Sequence, residues 1–242
     1  MKSAEHIVKS YDEELRRLTT IVAQMGGLAE SQLSGAIQSV VRRDSDLASS
    51  VVQADVKVDA LQDEIDDFVV RLLALRQPMA IDLRLIVGAL RIASDLERIA
   101  DYAANVAKRA IALNQAPLVR PVHVVPRMGA LVQAMIKDVL DAYVASDVEK
   151  AKSVWNRDEE VDEMYNSLFR ELLTYMMEDA RSIGICTHLL FIAKNIERIG
   201  DHATNIAELV HYTVTGQKMG GARPKGDVTS STLPGQPDGG TA

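Results

Sequence analysis

An all-α fold, built as two tandem three-helix bundles, is predicted by three observations: an internal repeat, helix-period apolar spacing in both copies, and few aromatic residues. The repeat is plainest where Glu97-Arg-Ile-Ala-Asp101-Tyr-Ala-Ala-Asn105 returns 100 residues later as Glu197-Arg-Ile-Gly-Asp201-His-Ala-Thr-Asn205. Of the 18 positions from Leu90 to Ala107, 10 are identical to their partners, acids included. Earlier in the chain the offset becomes 103, pairing Asp55 and Asp59 with Asp158 and Asp162, and Met25-Gly26 with Met128-Gly129. The three-residue difference falls between Arg71 and Gly88, where the first copy carries Arg76-Gln-Pro-Met-Ala-Ile-Asp82. Self-similarity at a fixed period constrains a fold before any single residue is assigned. Aromatics make up 4% of the chain while Ala, Leu, Val, Met, Glu and Arg abound, the usage of helix bundles rather than of sandwiches or barrels.

Each unit divides into three long helices. The first opens at the capping-box pattern Ser10-Tyr-Asp-Glu13 and carries Leu15, Leu18, Val22, Leu28, Leu33, Ile37, Val40 and Val41 at helical spacing up to Arg43-Asp44. The second runs from about Asp46 to Leu75 and stops ahead of Pro78, which disfavours helical backbone in the residue before it. The third runs from about Ala80 to Leu113. The second unit repeats the scheme over about 124–145, 147–179 and 182–215. The expected organisation is a first bundle over 1–114, a linker over 115–123, a second bundle over 124–216, and a Gly/Pro-rich tail over 217–242. The tail holds almost no large apolar residue, cannot bury enough surface to offset its ordering entropy, and is expected to be disordered.

Charge and composition narrow the function. A net charge of −7 argues against a nucleic-acid binder, which would carry a basic stripe, and favours cationic partners such as metal ions. The single cysteine, Cys186, has no partner for an internal disulfide and no basic neighbour to activate it. The N-terminus lacks the apolar stretch of a signal peptide, and no apolar run approaches the roughly 18 residues of a membrane span. A cytoplasmic location is expected.

The acids of the repeat are the candidate site. On a helical wheel Ile92, Leu96, Ile99, Ala103 and Val106 form one apolar arc, as do Ile192, Ile196, Ile199, Ala203 and Ile206. Glu97, Asp101 and Asn105 fall outside that arc, yet their neighbours are small or apolar, an odd setting for a solvated face. Acids four apart repel by a few tenths of a kcal/mol, and a bound cation reverses the sign. The second helix offers a ladder, Asp55, Asp59, Asp63 and Asp67. Asp63 and Asp67 pair with Asn166 and Arg170, so only the first two are acidic in both copies. The candidate metal ligands are therefore Asp55, Asp59, Glu97 and Asp101 in one unit and Asp158, Asp162, Glu197 and Asp201 in the other. Packing the second and third helices antiparallel would bring four carboxylates together in each.

Other features carry less. Glu208-Leu-Val-His211 is an E-x-x-H, but a di-iron site needs two copies and position 108 is Lys. His202 pairs with Tyr102, which weakens a ligand role, and His188 reads as a satisfied core histidine. Arg98 and Arg198 suit counter-charges or a partner surface. No phosphate loop, nucleophile elbow or acid/base/nucleophile set is present, so catalysis has no visible machinery.

From about Tyr11 to Gly216 the chain resembles the PhoU family of phosphate-uptake regulators. The resemblance rests on Met25-Gly-Gly, Asp44-Ser-Asp-Leu-Ala48, Arg76-Gln-Pro, Asp82-Leu-Arg-Leu85, Tyr175-Met-Met-Glu-Asp179 and the two Glu-Arg-Ile-(Ala/Gly)-Asp motifs. It implies two pseudo-twofold bundles whose D/E-x-x-x-D motifs, here the eight acids named above, hold metal clusters in some members. It also implies a negative regulator, not an enzyme, that docks on the ATPase subunit of the phosphate ABC importer and on the sensor histidine kinase, commonly as a homodimer, peripheral to the membrane through its partners. The implied cofactors are divalent or trivalent ions, Fe, Mn, Mg or Zn; hard oxygen donors suit Mg, Mn or Fe best. Two other readings stand beside it, a metal-free helical adaptor and a di-metal carboxylate enzyme.

Overall fold

A computed structural model of the chain describes residues 2–117 and 120–220; the predicted disordered tail lies, apart from 217–220, outside the described residues. The described chain is helical, with no strand. It comprises α1 Lys2–Arg42, α2 Ser45–Ala54, α3 Val56–Arg76, α4 Ala80–Leu113, α5 Val124–Ala145, α6 Val148–Asn156, α7 Asp158–Glu178 and α8 Ile183–Thr215. Single 3-10 turns precede α5 and α8.

Two element boundaries differ from the sequence expectation. First, α1 begins at Lys2, so Ser10-Tyr-Asp-Glu13 caps nothing. The Ser10 hydroxyl instead accepts from Arg76 Nη2 at 3.0 Å, and the same guanidinium grips Glu14 through two bonds of 2.8 and 3.0 Å. Arg76-Gln-Pro thereby ties the end of α3 to α1, and Gln77, left-handed at φ 48°, stops the helix. Second, the middle helix of each unit is broken. In the first unit the break is a kink, because Asp55 itself keeps helical angles; in the second it falls at Arg157. Each break starts a new helix at the acidic motif, where a carboxylate in the first turn is favoured by the helix dipole at roughly 0.3–1 kcal/mol.

The joint ahead of each break is built twice in the same way. Arg43 and its repeat partner Ser146 take left-handed backbone at φ 56° and 53°. The next residues, Asp44 and Asp147, then accept from the backbone N–H of Leu47 at 2.9 Å and Lys150 at 3.0 Å. Carboxylate caps of this kind satisfy one of the orphan donors of a helix start.

The bundles are α1, α2–α3 and α4, and α5, α6–α7 and α8. They are fused along α4 and α8, which pack antiparallel over most of their length. A Cβ on Gly88 would strike Thr213, Asn205 donates to Asp95, Arg198 lies over Tyr102, and Arg109 over Phe191. With an offset of 100, this pairing puts a pseudo-twofold axis near Ala100 and Gly200, both fully or nearly fully buried. The outer helices obey the same axis: Gly26 of α1 receives Leu140 of α5, and Gly129 of α5 receives Ile37 of α1. Those are one contact made twice, at an offset of 103. The predicted apolar arcs of α4 and α8 are buried throughout, within one core that runs from Leu18 to Val210. Among the described residues no helix is long and apolar enough to cross a membrane.

Candidate functional site

The α2–α3 kink and the middle of α4 bring the four acids of the first unit into one electrostatic neighbourhood. Asp55 is half-buried at the kink, Asp59 lies one turn into α3, and Glu97 and Asp101 lie one turn apart on α4. Burial first, and then the charges of Asp101 and Asp59, push the Asp55 carboxyl above its ordinary range. Glu97 is raised likewise, by burial first and then by Asp101, Asp59 and Asp55. Opposing charges are peripheral: Lys108 acts on Asp55 and Arg98 on Glu97, both from exposed positions. No salt bridge within 4.0 Å reaches any of the four among the described residues. On α1, Gln32 is only 5% exposed and stands beside Asp55, near enough to favour its charged form. No well-formed hydrogen bond closes between them, since both side-chain amide atoms of Gln32 are buried without a partner. Leaving such a group unsatisfied costs about 1–3 kcal/mol.

The second unit departs from the expectation that the acids lie off the core. Asp158, Asp162 and Glu197 are 3, 4 and 4% exposed, and Asp201 is half-buried. Three substitutions between the copies account for this. Lys194, where the first unit has Ser94, donates to Glu197 Oε1 at 2.8 Å and lies 4.8 Å above the Tyr165 ring. Thr204, in place of Ala104, donates to Asp158 at 3.1 Å. Met135, in place of Gln32, fills its position with apolar volume. Even so, burial pushes the Glu197 carboxyl up to about 7, aided by Asp201 and Asp162 and opposed by Lys194, and Glu197 Oε2 has no partner.

Neither site is a closed cage: among the described residues no three His, Cys, Asp or Glu side chains are placed to grip one ion. The donor chemistry nonetheless suits a hard cation, with carboxylates raised by mutual repulsion and an orphaned amide in the first unit. Asp59 and Asp101 are exposed and can rotate toward a shared ion.

The remaining candidates resolve as follows. His202 turns away from the acids and pairs with Asp95 of α4 at 2.8 Å, stacking on Tyr102 with centroids 5.7 Å apart. The E-x-x-H residues diverge, Glu208 accepting from Trp155 Nε1 at 3.0 Å and His211 meeting the Gln217 carbonyl. His188 is not satisfied, since its Nδ1 is buried without a partner among the described residues. Cys186 is fully buried, and Asp63 and Asp67 are exposed. Sequence reasoning missed Gln32 and Lys194, although comparing positions 32 with 135 and 94 with 194 would have raised both. It also missed a cleft of about 780 Å³ on the α4–α8 seam, bordered by Arg91, Asp95, Arg98, Trp155, Glu208 and Tyr212.

Twin bundles fused about a pseudo-twofold axis, each with an acid quartet between its middle and last helices, define a tandem-repeat helical protein with paired acidic sites. The PhoU domain matches residues 22–110 and 125–210, and the chain belongs to the PhoU family. It is 57% identical over 227 residues to a Caulobacter vibrioides protein named phosphate-specific transport system accessory protein PhoU homolog, covering 93% of this chain and 99% of that one. A Rhizobium meliloti protein of the same name is 49% identical over 95% of this chain and 97% of its own. Crystal structures of PhoU from Pseudomonas aeruginosa and Streptococcus pneumoniae superpose with TM-scores of 0.83 and 0.81 at 42 and 31% identity. They cover 86 and 87% of this chain and 100 and 99% of theirs.

Proposed function

We propose that this chain is a negative regulator of phosphate uptake and of phosphate-responsive signalling. The observation that carries the reading is the near end-to-end match, at 57 and 49% identity, with relatives named as accessory proteins of phosphate transport. It works by contact rather than by chemistry, docking in the cytoplasm on the ATPase subunit of the phosphate ABC importer and on the phosphate sensor histidine kinase, and it pairs as a homodimer. A long, stiff helical frame suits a docking scaffold, because side chains on rigid elements hold their relative positions. Large apolar side chains exposed around the α3–α4 turn, Leu75, Met79, Ile81 and Leu83, offer a surface for such contacts.

The acidic quartets are read as cation sites. Asp55, Asp59, Glu97 and Asp101 would hold an ion in the first unit, and Asp158, Asp162, Glu197 and Asp201 supply the corresponding set in the second. A bound divalent or trivalent ion supplies positive charge that cancels carboxylate repulsion between α3 and α4. The residues' own part is to join the kink to α4 and so to stiffen the docking face.

Deleting the gene in phosphate-replete cells is expected to raise phosphate-responsive transcription, and expressing this chain to restore repression. A pull-down from native cells should recover the importer ATPase and the kinase. Unchanged transcription on deletion would overturn the regulatory reading.

A further inference from the structure

The cleft on the α4–α8 seam belongs to neither acidic quartet. It encloses about 780 Å³, the size of a small-molecule site, and three cations border it: Arg91 and Arg98 on α4, and Lys218 just beyond α8. None of the three forms an ion pair among the described residues. The two carboxylates of the wall are already engaged. Asp95 meets His202 Nδ1 at 2.8 Å and accepts from Asn205 at 3.4 Å, and Glu208 accepts from Trp155 Nε1 at 3.0 Å. In a chain of net charge −7 this is a local surplus of uncommitted positive charge.

The wall is held in place. Arg91 and Arg98 stand two turns apart on one face of α4, about 10 Å along its axis, a spacing that suits a chain of phosphoryl groups better than a single one. Guanidinium forks match phosphate oxygens two at a time. A turn sets Lys218 at the cleft: Gly216 takes φ 72°, and His211 Nδ1 and the Thr215 hydroxyl both donate to the Gln217 carbonyl, at 3.0 and 3.2 Å. Trp155, its N–H committed to Glu208, and Tyr212 add flat aromatic surface of the kind on which nucleobases stack. The repeat supplies the control. At the other end of the seam Phe191 stands in place of Arg91, Val52 in place of Trp155 and Ala112 in place of Tyr212. Arg109 covers the Phe191 ring at 4.0 Å, so there the guanidinium and the ring satisfy each other. In the cleft, guanidinium groups and rings border open volume instead.

We propose that the seam cleft binds a nucleoside polyphosphate, with its phosphoryl chain among Arg91, Arg98 and Lys218 and its base against Trp155 and Tyr212. This site goes beyond the regulatory reading and needs no metal at the acidic quartets. Inorganic phosphate is disfavoured, because one ion leaves the far arginine and both rings unused.

Trp155 is the single tryptophan of the chain, so its fluorescence reports on the cleft directly. The full chain is titrated with ATP, tripolyphosphate, adenosine and inorganic phosphate, in EDTA so that no metal bridges a ligand to the acids, with calorimetry in parallel. ATP is expected to change the Trp155 emission saturably at one site per chain, and each of the other three to bind at least about tenfold more weakly, having lost either the charged or the stacking contacts. Arg91→Phe, which installs the second unit's residue, and Arg98→Gln should each weaken ATP by about tenfold, the loss of one charge-assisted contact. Both side chains are exposed, and circular dichroism and thermal melting check that the variants fold. Arg170→Gln, the same charge change at an exposed position on α7, should leave ATP binding unaltered. Equal weakening by all three substitutions would overturn the site in favour of diffuse charge attraction. Tripolyphosphate as tight as ATP would overturn the nucleotide assignment, and no saturable ATP binding would overturn the site altogether. These readings are taken on the purified chain, so they stand or fall separately from the transcription that tests the regulatory role.

Discussion

At Glu197 desolvation outweighs an ion pair. Lys194 lies 2.8 Å away, yet the carboxyl is raised from 4.5 to about 7, because burial and two neighbouring aspartates together exceed one ammonium. The consequence for stability has a definite sign. Below pH 4.5 the group is protonated in both states and contributes nothing. Between 4.5 and about 7 the unfolded chain releases a proton that the folded chain keeps, so stability falls as pH rises; above 7 the full cost is present. At about 1.4 kcal/mol per pH unit the cost is on the order of 3 kcal/mol. Glu197→Gln is therefore expected to flatten the decline in urea-melt stability between pH 5 and 7 and to leave the metal-free variant more stable than the parent at pH 8. Equal slopes in the two proteins would mean that another group titrates. The acid at position 197 was legible in the sequence, as was its spacing from Asp201. Its burial was not, because a wheel drawn on one helix omits the α7 side chains packed over the far face.

Helix against helix, the repeat explains glycines that would otherwise look like weak points. Gly129 admits Ile37, whose atoms would stand 2.7 and 2.8 Å from an added Cβ, and Ile is stiff at χ1. A Cβ on Gly27, exposed on α1, would meet nothing within 4 Å. Gly129→Val should therefore destabilise by about 2 kcal/mol through overpacking. Gly27→Ala should stabilise by about 0.5–1 kcal/mol through helix propensity alone. Chemical denaturation of the two variants checks both signs, and a stable Gly129→Val would show that α1 and α5 do not meet as closely as the structure has them. The doubling of Met25-Gly26 as Met128-Gly129 was visible in the sequence, but its meaning required knowing that the two outer helices cross. The α2–α3 kink was hidden for a different reason: Asp55 keeps helical angles, and apolar spacing continues through it, so periodicity alone reads one helix. The false start at Ser10 arose because a capping-box pattern cannot reveal that Arg76, 66 positions on, claims the hydroxyl.

For the whole molecule, the three-helix unit that the sequence delimits shares its core with its copy. Two copies with helical apolar arcs were enough to predict tandem bundles. How the copies meet depends on small residues and mismatched polar pairs on α4 and α8, such as Gly88 with Thr213 and Asp95 with His202 and Asn205, whose partners lie more than 100 positions away. These helices share one core, so separating the bundles would bare the α4 face that now lies on α8. Apolar surface bared in this way costs about 25 cal/mol per Å², and a unit of this size buries a smaller share of its surface than the whole chain does. Residues 1–117 produced alone are thus expected not to remain a monomer. The pseudo-twofold axis near Ala100 supplies a ready alternative, with α4 pairing on α4 of a second copy so that Asp95 approaches Asn105 and Arg98 approaches Tyr102. Light scattering after gel filtration should find a dimer or larger species. Adding residues 120–220 should convert it to a one-to-one complex, because Arg109 then regains Phe191 and Asp95 regains His202. A monomeric first half with a cooperative melt would instead make each bundle an independent domain, and the α4–α8 seam an interface free to open.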